Sequence, residues 1–214
     1  MADRGKNSTA SYIRRRLNII RRKIAGNYYV WVLLNSLLAL FNKNIFKKHC
    51  LQNLLRARDA LNTLKTNYWL TDGTLLGFYR EGDFITGDKD VDIGVMIDDW
   101  SEYFIQAFYE KGLKLLRING NRAGGLEYTF TRRGVNLDVF FFYSEKDYVW
   151  HATWLGNEMI RYKFPPFKVK EAKYLGHGFN VPEDTEAYLV LKYGANWRTP
   201  DKNWNWAKDP ENIF

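Results

Sequence analysis

The sequence predicts an α/β (α+β) protein, a mixed β-sheet flanked by helices and preceded by a basic and apolar helical arm. Three observations predict it. Val91, Ile93, Val95 and Ile97 alternate with Asp90, Asp92, Gly94 and Met96, the two-residue period of a strand. Leu126–Thr131 and Val135–Tyr143 flank Arg132-Arg133-Gly134, the pattern of a hairpin. Leu51, Leu54, Ala57, Leu61 and Leu64 recur at helical spacing within Lys47–Thr66.

The remaining elements follow in order. Tyr68–Thr71 is an extended apolar run, and the turn-rich Asp72-Gly73-Thr74 leads into a short helix over Leu75–Arg80. Trp100–Lys111 reads as a helix stopped by Gly112. Glu183–Tyr193 reads as a helix opened by Pro182 and closed by Gly194. The chain divides into an arm, 1–46, and a globular body, 47–214.

Charge separates the two parts. Residues 1–50 hold eleven lysines and arginines against one acid, Asp3, for a net +10, whereas the remainder carries a net −2. A body with that balance does not suit nucleic acid, which calls for a basic surface on the domain itself. Within the arm, Ile13, Leu17, Ile20 and Ile24 form one stripe amid Arg14, Arg15, Arg16, Arg21, Arg22 and Lys23. That is a basic amphipathic helix suited to an anionic membrane surface, at about 1 kcal/mol per basic residue. Tyr28–Phe41 is almost wholly apolar. As a helix it reaches only about 21 Å, short of a ~30 Å hydrocarbon core, so it reads as an interfacial or buried helix, with a signal anchor the alternative, and residues 12–41 are expected to contact an anionic membrane surface.

Cys50 stands alone, which excludes a disulfide framework and a multi-cysteine zinc site. Three scattered histidines do not make a histidine-built metal site, so carboxylates holding Mg2+ or Mn2+ are the expected chemistry. Asp88, Asp90 and Asp92 supply them. Strand alternation puts Asp90 and Asp92 on one face, and neighbouring carboxylates repel unless a cation sits among them. Asp138, amid Val139-Phe140-Phe141-Phe142, is the expected third member; Asp90, Asp92 and Asp138 form the metal set. A calcium loop is a poor fit, because Gly94 falls one place late and Asp99 stands where a glutamate belongs. A solvated acidic edge and salt bridges to arginines remain alternatives. Ahead of the acids, Gly73 and Thr74 follow a strand and open a helix, an arrangement that offers N–H groups and a hydroxyl to a phosphate.

The run Trp69 to Val95, WLTDGTLLGFYREGDFITGDKDVDIGV, resembles the LicD/fukutin family of the nucleotidyltransferase-fold superfamily. Val181 to Pro200 resembles that family's closing element, VPEDTEAYLVLKYGANWRTP. The resemblance implies a phosphotransferase with a nucleotidyltransferase-like fold. It would move a phosphate-linked group (phosphocholine, ribitol phosphate, glycerol phosphate) from a CDP-linked donor to a glycan or lipid-linked glycan, releasing CMP. It implies catalytic roles for Asp88, Asp90, Asp92 and Asp138, and a phosphate loop at Gly73 and Thr74. Arg80, Lys192 and Trp197 are candidate donor-binding residues, and Trp204 and Trp206 extend the aromatic cluster. The expected location is cytoplasmic, peripheral at the inner membrane face. Two alternatives remain: transfer of a nucleoside monophosphate to a small molecule or RNA, and a non-enzymatic binding protein with a degenerate site.

Overall fold

The computed structural model describes residues 47–88 and 90–214. The expected amphipathic and apolar helices of the arm, and Lys89, lie outside the described residues.

A helix over 47–64 (α1) buries Cys50, Leu54, Ala57, Ala60 and Leu61, the face its apolar spacing prescribes. Then come β1 (Tyr68–Leu70), α2 (Asp72–Glu81), β2 (Asp92–Met96), a 3-10 turn (Ile97–Asp99) and α3 (Phe104–Glu110). The strands β3 (Lys114–Asn121), β4 (Gly124–Arg132), β5 (Val135–Ser144), β6 (Val149–Leu155) and β7 (Glu158–Phe164) follow. A separate hairpin, β8 (Val169–Tyr174) with β9 (His177–Pro182), precedes α4 (Thr185–Tyr193).

The main sheet runs β1-β2-β5-β4-β3, with β6 on the far end of β5 and β7 outside it. Among the described residues, only β2 and β5 pair in parallel; the other neighbours are antiparallel. The β4–β5 turn is Arg133-Gly134, both at positive φ (56° and 78°), as a two-residue hairpin of this twist demands.

One face of the sheet is packed by α3: Phe108 stacks on Phe130 at 4.3 Å, and Phe104 meets Phe141 at 5.3 Å. On this side α1 is tied to the β4–β5 turn through Asn53, whose Nδ2 donates to the carbonyls of Arg132 and Val135. The other face carries Trp69, Asp92, Gly94, Asp138 and Phe142. Trp69 lies so close over β2 that a Cβ on Gly94 would stand 2.5 Å from its ring, so only glycine fits there. The β6–β7 hairpin turns toward this face, setting the His151 ring 4.4 Å from Phe142. Among the described residues, no helix is long and apolar enough to cross a membrane.

Several boundaries differ from expectation. α2 begins at Asp72, so Asp72-Gly73-Thr74 is the first helical turn and not a loop before it. The helix after β2 is shorter than expected, because Ile97–Asp99 forms a 3-10 turn and α3 starts only at Phe104. α4 starts at Thr185, where the Asp184 side chain accepts from the Ala187 N–H.

Candidate active site

The parallel pairing of β2 and β5 sets Asp92 directly opposite Asp138. Residues paired in this way present their side chains on the same face, so two acids 46 positions apart in sequence become neighbours. Both are over nine-tenths buried. Burial, then the charges of Asp90, Asp72, Asp88 and Asp138, push the Asp92 carboxyl well above the usual carboxylate range. Burial likewise raises Asp138 to about 7, against the lowering effect of a hydrogen bond from Thr129.

The first turn of α2 braces this pair. The Thr74 N–H donates to Asp92 Oδ2 at 3.2 Å, and the Asp92 N–H donates to Thr74 Oγ1 at 2.8 Å. Thr74 is 1% exposed, so it holds Asp92 in place and is not the open phosphate donor its position in sequence suggested. Gly73 forms the wall. A Cβ there would stand 2.8 Å from Asp88 Oδ2 and 3.2 Å from Asp92 Oδ2. Asp90 lies just ahead of β2, partly exposed, and its charge acts on both Asp92 and Asp138.

Gly73 and Asp88 border a cleft of about 910 Å³, lined also by Arg80, Tyr193, Trp197 and Trp204. Arg80 Nη1 donates to the Trp197 carbonyl at 3.3 Å. Arg80 Nε and Trp197 Nε1 are buried without a hydrogen-bond partner, two donors in the lining of one cleft. Tyr193 and Trp204 pack at 4.6 Å on its rim. Trp206 is partly exposed, and its carbonyl accepts from the Tyr162 hydroxyl.

Lys192 does not join the cleft-lining residues. The side chain is 3% exposed, with its Nζ 2.6 Å from Asp72 Oδ1 and 3.3 Å over the Tyr162 ring. Its chain faces inward because α4 packs against β7, with Tyr188 stacked on Phe164 at 4.2 Å. Asp72 was not anticipated. Its backbone has φ 45°, unusual for a residue other than glycine, and its other oxygen accepts from Thr71 Oγ1 at 3.0 Å. Lys192 holds its carboxyl below the usual range despite burial. The sequence signal was an acid directly before Gly-Thr. Glu127 and His151 were also missed: both are buried polar side chains on strands rich in apolar residues, a pattern visible in β4 and β6.

The residues present suit a hard divalent cation. Asp92 and Asp138 are adjacent, crowded by like charge, and Asp138 Oδ1 is buried without a partner. Among the described residues, no group of three or more histidine, cysteine or carboxylate side chains is arranged for binding a metal. A pair of carboxylates is the usual protein share of a magnesium site completed by substrate phosphates and water.

The LicD/FKTN/FKRP nucleotidyltransferase domain matches residues 65–184, more than half of the chain. The chain belongs to the LicD/FKTN/FKRP family. Human ribitol-5-phosphate transferase FKTN is 36% identical over 171 residues, covering 78% of this chain and 37% of that protein. Human ribitol 5-phosphate transferase FKRP is 26% identical over 144 residues, covering 63% of this chain and 29% of that one. The chain thus spans only 37% of the length of the one relative and 29% of the other. The lincomycin-bound structure of lincosamide antibiotic adenylyltransferase LnuA aligns with a TM-score of 0.46 at 19% identity, over 66% of this chain and 85% of that one.

Proposed function

We propose that this LicD-family chain is an enzyme that transfers a phosphate-linked group from a CDP-activated donor to a glycan hydroxyl, releasing CMP. Ribitol phosphate is the first candidate group, because FKTN and FKRP are named ribitol-phosphate transferases; glycerol phosphate and phosphocholine follow. The single observation that carries the reading is Asp92 opposite Asp138 beside a cleft walled by Gly73.

Asp92 and Asp138, with Asp90 close by, would hold Mg2+ or Mn2+. Such an ion supplies charge neutralisation on phosphate oxygens. The protein's own groups do the rest. Gly73 leaves room for a phosphate beside Asp88 and Asp92. Arg80 and the Trp197 indole N–H offer donors to the CDP part, and Tyr193 with Trp204 offers a surface on which a base can stack. The acceptor oxygen bonds to phosphorus as the bond from phosphorus to the CMP oxygen breaks. The hydroxyl proton passes to a carboxylate, Asp138 or Asp88. Thr74 keeps Asp92 from turning away. Residues 12–41 would hold the enzyme on the anionic inner face of a membrane, raising its local concentration at a lipid-linked acceptor.

The test is CMP release from CDP-ribitol, CDP-glycerol and CDP-choline, each labelled in the transferred group and separately in the nucleoside. Label from the transferred group on the acceptor supports the reading. Nucleoside label on the acceptor would assign nucleotidyl transfer instead. Failure to bind a divalent ion or any CDP compound would favour a degenerate site.

A further inference from the structure

The body is close to neutral in total, yet its cations are unevenly placed. Four of them, Lys48, Arg56, Arg132 and Arg133, gather where α1 meets the β4–β5 turn. A Cβ on Gly112 would stand 3.8 Å from Arg132 Nε and 3.9 Å from Arg56 Nη1, so both guanidinium groups lie against one glycine. Their hydrogen bonds go to neutral groups. Arg56 Nη1 donates to the Lys111 carbonyl at 2.7 Å, Arg132 Nη1 to Asn53 Oδ1 at 3.5 Å and Arg133 Nη1 to Gln52 Oε1 at 3.4 Å. His49 sits among them. Burial, then the charge of Arg133, holds its imidazole below the usual range, and Arg132 and Lys48 act in the same direction.

Among the described residues, none of the four cations pairs with a carboxylate, whereas the neighbouring Lys47 and Arg58 pair with Asp83 and Asp59. The preceding chain has little to offer them: residues 1–46 bring nine lysines and arginines of their own and a single acid, Asp3. Like charges crowded in this way repel one another, and an anion from outside the chain relieves them.

We infer that this face of the body docks on an anionic lipid surface, with Lys48, Arg56, Arg132 and Arg133 meeting the phosphate headgroups. Lys48 and Arg133 are exposed, and Arg56 and Arg132 are half-buried. Long cations set at different depths suit mobile headgroups, which can adjust to each of them. The contact is separate from the one proposed for residues 12–41, and it fixes what a tethered arm does not: which side of the domain faces the lipid. β5 leaves the Arg133-Gly134 turn at Val135 and reaches Asp138 three residues on, about 10 Å away. Val91, just ahead of β2, donates its N–H to the Asn136 carbonyl at 3.1 Å. The end of the sheet that bears Asp92 and Asp138 therefore lies on the docking side, where a hydroxyl carried on a lipid can approach. The charges of Asp88 and Asp90 reach Cys50, beside His49, and temper the attraction. A divalent ion at Asp92 and Asp138 offsets them.

The experiment uses the full chain and vesicles of phosphatidylglycerol and phosphatidylcholine in equal parts, with pure phosphatidylcholine as the neutral control. Lys48→Gln combined with Arg133→Gln weakens partition onto the anionic vesicles about 25-fold, about fivefold for each charge removed. Lys170→Gln combined with Lys173→Gln, the same loss of charge on the β8–β9 hairpin, changes it less than twofold. In the wild-type chain, anionic vesicles slow amide exchange at Arg132–Gly134 and in the first turn of α1, and neutral vesicles do not. Partition that the first pair of substitutions leaves unchanged, or that both pairs weaken equally, overturns the inference. Unaltered exchange at the β4–β5 turn overturns it as well. Soluble polyphosphate that protects this turn where anionic vesicles do not would overturn it in favour of a phosphate-bearing polymer. CMP release from CDP-ribitol without vesicles tests the transfer reading separately, so failure of the one and failure of the other are distinguished.

Discussion

Lys192 on α4 and Asp72 on α2 form a buried ion pair, Nζ to Oδ1 at 2.6 Å, directly behind the turn that carries Gly73 and Thr74. The pair joins the helix that closes the domain to the helix that braces Asp92, and it sustains the positive φ of Asp72.

Removing one partner leaves a buried charge. Lys192→Met is expected to cost about 3–5 kcal/mol in urea denaturation, and Asp72→Asn combined with Lys192→Met less than Lys192→Met alone. A double variant no more stable than the single would show that the charges do not act as a pair.

Asp92→Asn and Asp138→Asn each leave the backbone ladder intact and remove a charge that the proposed cation site depends on. Transfer is expected to fall about 100-fold or more in each, with far-UV circular dichroism unchanged. Chelation of divalent ions should abolish wild-type transfer, and added Mg2+ should restore it. Near-normal turnover in both variants would remove these acids from the chemistry.

His151 lies within 6 Å of the Phe140, Phe142, Tyr162 and Phe164 rings. Burial, then the charge of Lys192, lowers it to about 3, so it is neutral in the folded protein. A depressed value means that the unfolded chain binds the extra proton between about pH 6.5 and 3. Its stabilising contribution is complete above 6.5 and is lost as pH falls, up to about 5 kcal/mol. Asp138, raised to about 7, works in the opposite direction, so the comparison must be between variants. His151→Phe should lose less stability than the wild type from pH 7 to pH 4 in thermal melts; parallel curves would refute the assignment.

Gly94→Ala tests the packing above β2. The new methyl meets the Trp69 ring at 2.5 Å in a core that cannot yield freely, for an expected loss of about 1–3 kcal/mol in chemical denaturation. A neutral result would mean that Trp69 moves aside at no cost.

Much of this was legible from sequence, and for local reasons. β2 alternates, α1 and α4 carry apolar stripes, and the Arg133-Gly134 turn has a two-residue hairpin signature. The acids Asp92 and Asp138 stood out as charges on apolar strands. The rest depended on partners distant in the chain. β3 and β8 are largely exposed and carry little hydrophobic pattern, so nothing in them announces a strand. Lys192 looked like a substrate-binding cation because its partner, Asp72, is 120 residues away. Arg56 and Arg132 become one group only once α1 lies beside the β4–β5 turn.

The β2–β5 pairing makes the chemistry intolerant of small insertions. Adding one residue between Val135 and Asp138 would slide β5 by half a pleat, bringing Leu137 beside Asp92. The displaced carboxylate would then be driven among Tyr128, Phe130 and Phe104. Length in that short segment is therefore fixed as tightly as the identity of the acids themselves.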